Sequence, residues 1–320
     1  MIRCVTIFGL ALAFAGSAAA QIAETPQAGS SGAELLKAGN ASAARDAFEA
    51  TLNTDPANTD AQNGEVAASE RLALDARREG RMNDALSYLI RAQQFVPRNA
   101  RLLFDLGILE DEMHLYQDAD RALALAEQLN PGGVQVIYAV GRVKLDLGQL
   151  PAAEEKLVAY LKVQPNDASA HYGLGRVYQL GLRFDKAREE FQRCIELQPV
   201  QTEAYYQLGD IALGQGEFDE AIADFSRTLA RDPKHGGALA GTGEAYFKQK
   251  QYAQAEKFLE RAVAAAPEYQ KGHYYLGLTL ARLGRKEDSE RELALATKLA
   301  EEANRKAHAV LQLTPQGANQ

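Results

Sequence analysis

Five histidines, two cysteines and 43 carboxylates are the residues of this 320-residue chain with the most reactive side chains. Their spacing argues against an active site. His114, His171, His235, His273 and His308 form no H-x-x-x-H pair that would set two imidazoles on one helix face for a metal. Cys4 and Cys194 are far apart, with no further ligand beside either. G-L-G at 173–175 and G-T-G at 241–243 lie inside helical patterns with no strand before them, so they read as packing positions. No G-x-S-x-G, G-x-x-x-x-G-K-[ST] or H-E-x-x-H occurs. Nothing in the pattern buries two carboxylates together to separate their acidities. The sequence predicts no enzyme activity, no metal and no cofactor.

A chemistry of recognition is better represented. Phe104, Tyr138, Tyr172, Tyr206 and Tyr274 fall on one regular column, interrupted by Ala240. Four residues after each position stand Ile108, Arg142, Arg176, Asp210, Glu244 and Leu278. Tyr138/Arg142 and Tyr172/Arg176 are i,i+4 pairs, so each ring shares a helix face with a guanidinium. Tyrosine offers rigid contact area and a hydroxyl, and arginine holds a carboxylate through two parallel bonds. The other reading is that these tyrosines only pack between helices. Both roles are open to one amphipathic side chain.

Such a column needs a repeated element to carry it. Pro97, Pro131, Pro165, Pro199, Pro233 and Pro267 follow one another at intervals of 34 residues. A period in the range of roughly 20–50 residues marks a solenoid or an array. Each period holds two stretches with apolar residues at three- and four-residue steps, joined by a Gly or polar turn. Proline closes the second stretch because it lacks an N–H and biases its predecessor away from helical geometry. The unit is a helical hairpin.

Further columns run in register. Glycine stands at Gly107, Gly141, Gly175, Gly209, Gly243 and Gly277, and alanine at Ala85, Ala119, Ala153, Ala187, Ala221 and Ala255. Leu or Phe stands at Leu89, Leu123, Leu157, Phe191, Phe225, Leu259 and Leu293. Glycine inside a helix costs about 0.5–1 kcal/mol relative to alanine, so its recurrence points to close approach of helix backbones. The expectation is that each glycine faces an alanine methyl, with the Leu/Phe column filling the space between neighbouring hairpins.

These columns resemble the tetratricopeptide repeat, as in Leu174-Gly175 … Ala187 … Phe191 … Pro199 and Leu208-Gly209 … Ala221 … Phe225 … Pro233. The resemblance implies an all-α fold, a right-handed α-α superhelix of about seven to eight hairpins. It covers about 57–301, with a degenerate first hairpin over 32–56. The family's usual Trp is absent; Leu103, Ile137, His171, Tyr205, Leu239 and His273 stand there, which puts His171 and His273 on the packed side. The resemblance also implies a concave groove lined by first helices, with a site at Phe104, Tyr138, Arg142, Tyr172, Arg176, Tyr206, Asp210 and Tyr274. That groove changes sign, with Arg142 and Arg176 in its middle and Asp210 and Glu244 beyond. The Lys/Asn/Arg set of the family's carboxylate clamp is not assembled. Nor is an asparagine ladder, since that column reads Asp105, Ala139, Gly173, Gln207, Gly241 and Tyr275. The implied function is a scaffold or adaptor that holds a protein or peptide segment. The alternative is a carbohydrate-binding scaffold in polysaccharide assembly or export, its tyrosines stacked on sugar rings.

The ends of the chain set compartment and boundaries. Residues 1–20 read as a signal peptide: a basic start, the apolar run CVTIFGLALAFAG and small residues closing at Ala20. Its loss takes Cys4 away and leaves Cys194 alone, buried and without a disulfide, in an exported protein of the periplasm or exterior. Residues 21–31 read as a polar leader without fixed structure. Pro56 and Pro97 lie 41 residues apart, seven beyond the comb, which predicts a lengthened helix over about 59–79. Ser289 and Glu301 replace the alanine and the proline, so a capping helix over 286–313 is expected, then a tail at 314–320. The alternative for that helix is a docking stripe of Leu299, Ala303, Val310 and Leu311. Net charge is −8 without a basic block, which excludes nucleic acid as the main partner. Beyond the signal no stretch is apolar enough to be an integral membrane segment. Oligomeric state is not encoded in these columns.

Overall fold

The computed structural model describes residues 31–313, with side chains described as far as Lys306. The expected signal peptide, the expected leader up to residue 30, the expected tail, and the side chains of Val310 and Leu311 lie outside the described residues. Every regular element among the described residues is an α-helix, sixteen in all. The chain divides into two compact units, residues 1–97 and 98–320, so the boundary falls at a comb proline.

The first unit holds α1 (Gly32–Lys37), α2 (Ala41–Thr54), α3 (Thr59–Arg78) and α4 (Met82–Phe95). Ser31, counted above with the leader, caps α1 in a reciprocal box with Glu34. Phe48 of α2 is wedged between two glycines. A Cβ on Gly32 of α1 would fall 2.8 Å from its ring, and one on Gly64 of α3 only 2.2 Å. The 20-residue α3 uses separate turns for its two neighbours, α2 and α4. Around Gly64 it meets Phe48 of α2, and buried Val66 follows two residues on, the step that separates Gly173 from Gly175. Against α4 the counterpart is Ala73, sixteen residues before buried Leu89, the offset that also separates Gly32 from Phe48. Val66 and Ala73 lie seven residues apart, close to two helical turns, so the insertion lengthens α3 without rotating its buried stripe.

The second unit opens with the hairpins α5 (Ala100–Glu112)/α6 (Tyr116–Leu129), α7 (Val134–Asp146)/α8 (Leu150–Val163) and α9 (Ala168–Leu180)/α10 (Phe184–Leu197). It continues with α11 (Thr202–Gln215)/α12 (Phe218–Arg231), α13 (Gly236–Lys248)/α14 (Tyr252–Ala265) and α15 (Gln270–Arg282)/α16 (Lys286–Leu313). Each helix packs on its hairpin mate and on the next helix in the chain, and first helices such as α11 and α13 also touch. Contacts confined to neighbours are the mark of a solenoid.

The glycine column does its work differently from the expectation. Each glycine faces the Leu/Phe side chain of its own hairpin, not the alanine methyl. A Cβ on Gly175 would lie 2.7 Å from the Phe191 ring, on Gly209 2.7 Å from Phe225, and on Gly243 2.4 Å from Leu259. The same side chains reach forward as well: Phe225 blocks a Cβ on Gly241 of the next hairpin at 2.5 Å, and Leu157 touches that of Gly173 at 3.5 Å. The alanines, Ala119 to Ala255, are fully buried beside this contact. A large side chain is chosen for the middle and the small residues flank it on both sides.

Turns inside the hairpins repeat too. Gly80, His114, Gly148, Leu182, Gly216, Lys250 and Gly284 all have φ between +56° and +83°. His171 and His273 act as clamps. Each faces a second-helix carboxylate through Nδ1 (Glu190 and Glu292, both 2.6 Å) and the preceding proline carbonyl through Nε2 (Pro165 at 3.1 Å, Pro267 at 2.8 Å). Cys194 is a free, fully buried thiol, and burial pushes its pKa up to about 11. It packs and does not react at neutral pH.

Candidate functional site

Between α7 and α9 the second unit opens a cleft of about 470 Å3. Tyr138, Arg142 and Leu145 line it from α7, and Tyr172, Arg176 and Leu180 from α9. The amphipathic period of each first helix turns these residues to one side, one helical turn from ring to guanidinium. Four of the eight residues in the expected site therefore meet in one place.

The tyrosines line and pack at once. Tyr138 leans on Tyr160 of α8 with ring centroids 4.9 Å apart, and Tyr172 on Phe191 of α10 at 5.6 Å. Tyr206 continues the pattern against Phe225 (5.9 Å) and His235 (4.7 Å). Each ring thus rests on the second helix of its own hairpin. Burial pushes the hydroxyls of Tyr138, Tyr172 and Tyr206 upward, so all three are neutral donors at physiological pH.

The other expected positions, Asp210 of α11 among them, do not line the cleft. Phe104 is half-buried against the α5–α7 core. Tyr206 lies under Gly237, where a Cβ would meet its hydroxyl at 2.9 Å. Tyr274 is exposed, its ring edge-on to Tyr275 at 5.3 Å.

The charges sort into committed and uncommitted groups. Arg142 donates to buried Asp111 of α5 at 2.9 Å. Burial raises the Asp111 carboxyl and Arg142 opposes the shift. Glu244 of α13 accepts from the Tyr275 hydroxyl at 2.6 Å and pairs with Lys271 Nζ at 2.7 Å, both from α15. Glu203 accepts from Gln207 at 2.9 Å and faces His235 at 3.4 Å, and the His235 contact holds its carboxyl below the usual range. Arg176 has no ion pair among the described residues and its buried Nε has no hydrogen-bond partner, though the guanidinium interacts with the Tyr172 hydroxyl and acts on Glu203 through space. Asp210 likewise has no ion pair or side-chain hydrogen bond among them; burial raises its carboxyl while Lys271 and Arg176 oppose.

The sequence reading missed Asp111, Lys271 and Tyr275, the partners that neutralise half of the groove. A signal existed. Asp111–Arg142 and Glu244–Tyr275 both span 31 residues, the offset that links one first helix to the next. Among the described residues no group of three or more His, Cys, Asp or Glu is placed to hold a metal, and no helix is long and apolar enough to cross a membrane.

A family model for the tetratricopeptide repeat matches residues 138–202, 181–234, 206–270 and 243–305. No curated protein matches the chain. Among solved structures, a tetratricopeptide repeat protein from Parabacteroides merdae aligns with a TM-score of 0.53 at 18% identity, covering 78% of this chain and 96% of its own. The Cut9–Hcn1 hetero-tetramer of APC/C aligns with a TM-score of 0.60 at 16% identity, over 83% of this chain and 52% of that one. YrrB, described as a repeat protein with an unusual peptide-binding site, is 23% identical over 57% of this chain and 95% of its own, with a TM-score of 0.46. The likenesses to the Parabacteroides merdae protein and to Cut9–Hcn1 speak to the fold alone.

Proposed function

Because the chain belongs to the tetratricopeptide repeat family, an all-α solenoid whose members are in general scaffolds and not enzymes, we propose that it holds a protein or peptide segment in the α7–α9 cleft. The observation that carries this reading is Arg176: a half-buried guanidinium without an ion pair, beside Tyr172 in a cleft that mixes polar and apolar side chains. A desolvated cation is costly to leave unpaired, and a ligand carboxylate supplies the missing acceptors. Tyr138, Tyr172, Leu145 and Leu180 supply contact area around it. The sugar-binding alternative has less support, because the ladder rings rest against second helices and do not stand free for stacking.

The apolar, small-residue-terminated segment at 1–20 supports export, so the scaffold is placed in the bacterial envelope, assisting assembly of a complex there. One experiment addresses both points. Tagged chain recovered from an envelope extract should begin at Gln21 and bring a partner with it. Tyr172→Ala together with Arg176→Ala should cut that capture by about tenfold or more, the loss of a charge-assisted anchor. Undiminished capture by the double variant would place the binding surface elsewhere; an uncleaved N-terminus would sink the export reading.

A further inference from the structure

We propose that the face running from the α7–α9 cleft on to α11 accepts an extended peptide in one charge order, with an acidic residue at Arg176 and a basic residue at Asp210. The inference rests on the peptide-binding reading above and adds the chemistry of the ligand. It follows from subtracting the charges that the protein already satisfies. Arg142 is spent on Asp111, Glu244 on Lys271 and Tyr275, and Glu203 on His235 and Gln207. What remains on the half-buried part of the groove is one cation on α9 and one anion on α11. No ion pair joins the two, although Lys271 and, less strongly, Arg176 act on the Asp210 carboxyl through space, with Glu244 opposing them. Asp146 also lines the cleft, but it is exposed, where solvent and salt screen its field.

A pair of opposite charges on successive helices gives the groove a direction. A segment laid along it with matching charges satisfies both; the same segment reversed sets like charges together and leaves both protein groups desolvated. Arg176 and Asp210 stand on successive first helices, at least as far apart as the roughly 8–10 Å of helices in contact, and an extended chain advances about 3.3 Å per residue. The two ligand charges therefore belong three or more residues apart. Tyr172 lies beside Arg176, one helical turn earlier in the same cleft, so a tyrosine flanks the cationic subsite.

The test uses the full mature chain and synthetic octapeptides built on Ala and Ser. One Glu and one Lys are set one to six positions apart in both orders, with Gln/Gln peptides as neutral controls. Affinity is read by fluorescence anisotropy at low and physiological salt. At a separation of three or more, one order should bind about tenfold more tightly than its reverse, the effect of one charge-assisted contact. Exchanging the protein charges, Arg176→Glu with Asp210→Lys, should invert the preference, and Arg176→Gln should erase it while helical circular dichroism stays unchanged. Binding that ignores charge order, or a preference that survives the exchange, overturns the inference and leaves the peptide reading standing. If no peptide binds, neutral controls included, both fall.

Discussion

At the scale of the residue, the array is less uniform than its 34-residue comb suggests. First helices of the second unit begin alternately with and without a side-chain cap. Asn99, Asp167 and His235 accept from a backbone N–H, whereas Gly133, Gln201 and Tyr269 do not. The turns at the other ends of the same helices alternate in the opposite sense. Capped helices run into the non-glycine residues His114, Leu182 and Lys250 at positive φ, and uncapped ones into Gly148, Gly216 and Gly284. A cap contributes about 1 kcal/mol, and a left-handed non-glycine residue costs roughly 1–2 kcal/mol, so each hairpin carries one advantage and lacks the other. Leu182 is 74% exposed and gives up little burial on substitution. Leu182→Gly should therefore stabilise the second unit by on the order of 0.5–1 kcal/mol, the strain relieved less the extra entropy of glycine. A urea midpoint that falls would show that the turn is not strained.

At the scale of the element, the contact that sets helix spacing is a ring between two glycines. Phe225 of α12 fills the space left by Gly209 of α11 and Gly241 of α13. Phe225→Ala should cost about 3–5 kcal/mol, as a cavity at a fully buried aromatic does. Gly241→Ala should cost about 1–3 kcal/mol, because its new methyl meets the ring and not open space. Shrinking the ring at the same time, Gly241→Ala with Phe225→Leu, should recover part of that loss. Additive losses in the urea midpoints would show that the two positions do not share one contact. The Leu/Phe column was legible in the sequence as large, apolar and periodic. Its position on the glycines was not, because periodicity shows that a face is buried and not what it is buried against.

At the scale of the whole molecule, each unit carries a buried carboxyl that links stability to pH. Glu65 of the first unit is fully buried, with Ser69 donating to one oxygen and no hydrogen-bond partner on the other. Burial pushes its pKa from 4.5 to about 7. Glu110 of the second unit is raised to about 7 by burial, with nearby Asp118 adding to the shift. Between about 4.5 and about 7 the folded carboxyls keep protons that the unfolded chain has released, so stability falls as pH rises through that window and levels off above it. His235, raised mainly by its hydrogen bond to Glu203, acts in the same sense, since its stabilising charge is lost as pH rises through its folded pKa. Glu203, lowered by that same contact, acts oppositely and only at the acid end, where it loses stability as pH falls below its usual range. Urea midpoints should therefore decline from about pH 5 to about pH 7.5, and Glu65→Gln with Glu110→Gln should flatten the curve. A midpoint that rises over that interval in the parent chain would contradict the assignment.

What the sequence determined by itself is the scaffold: helical hairpins in register, a long third helix and a site column of tyrosines and arginines. Those features are written in spacing, and spacing survives any tertiary arrangement because 3.6 residues per turn and a 34-residue repeat are local facts. Only the tertiary structure decided which groups of that column remain available. Arg142 and Arg176 are the same residue at equivalent positions, yet one meets Asp111 across the neighbouring hairpin and the other meets no carboxylate closely enough to pair. Whether a charge is neutralised depends on distances of a few ångströms between segments about thirty residues apart, which only the packing of the helices sets.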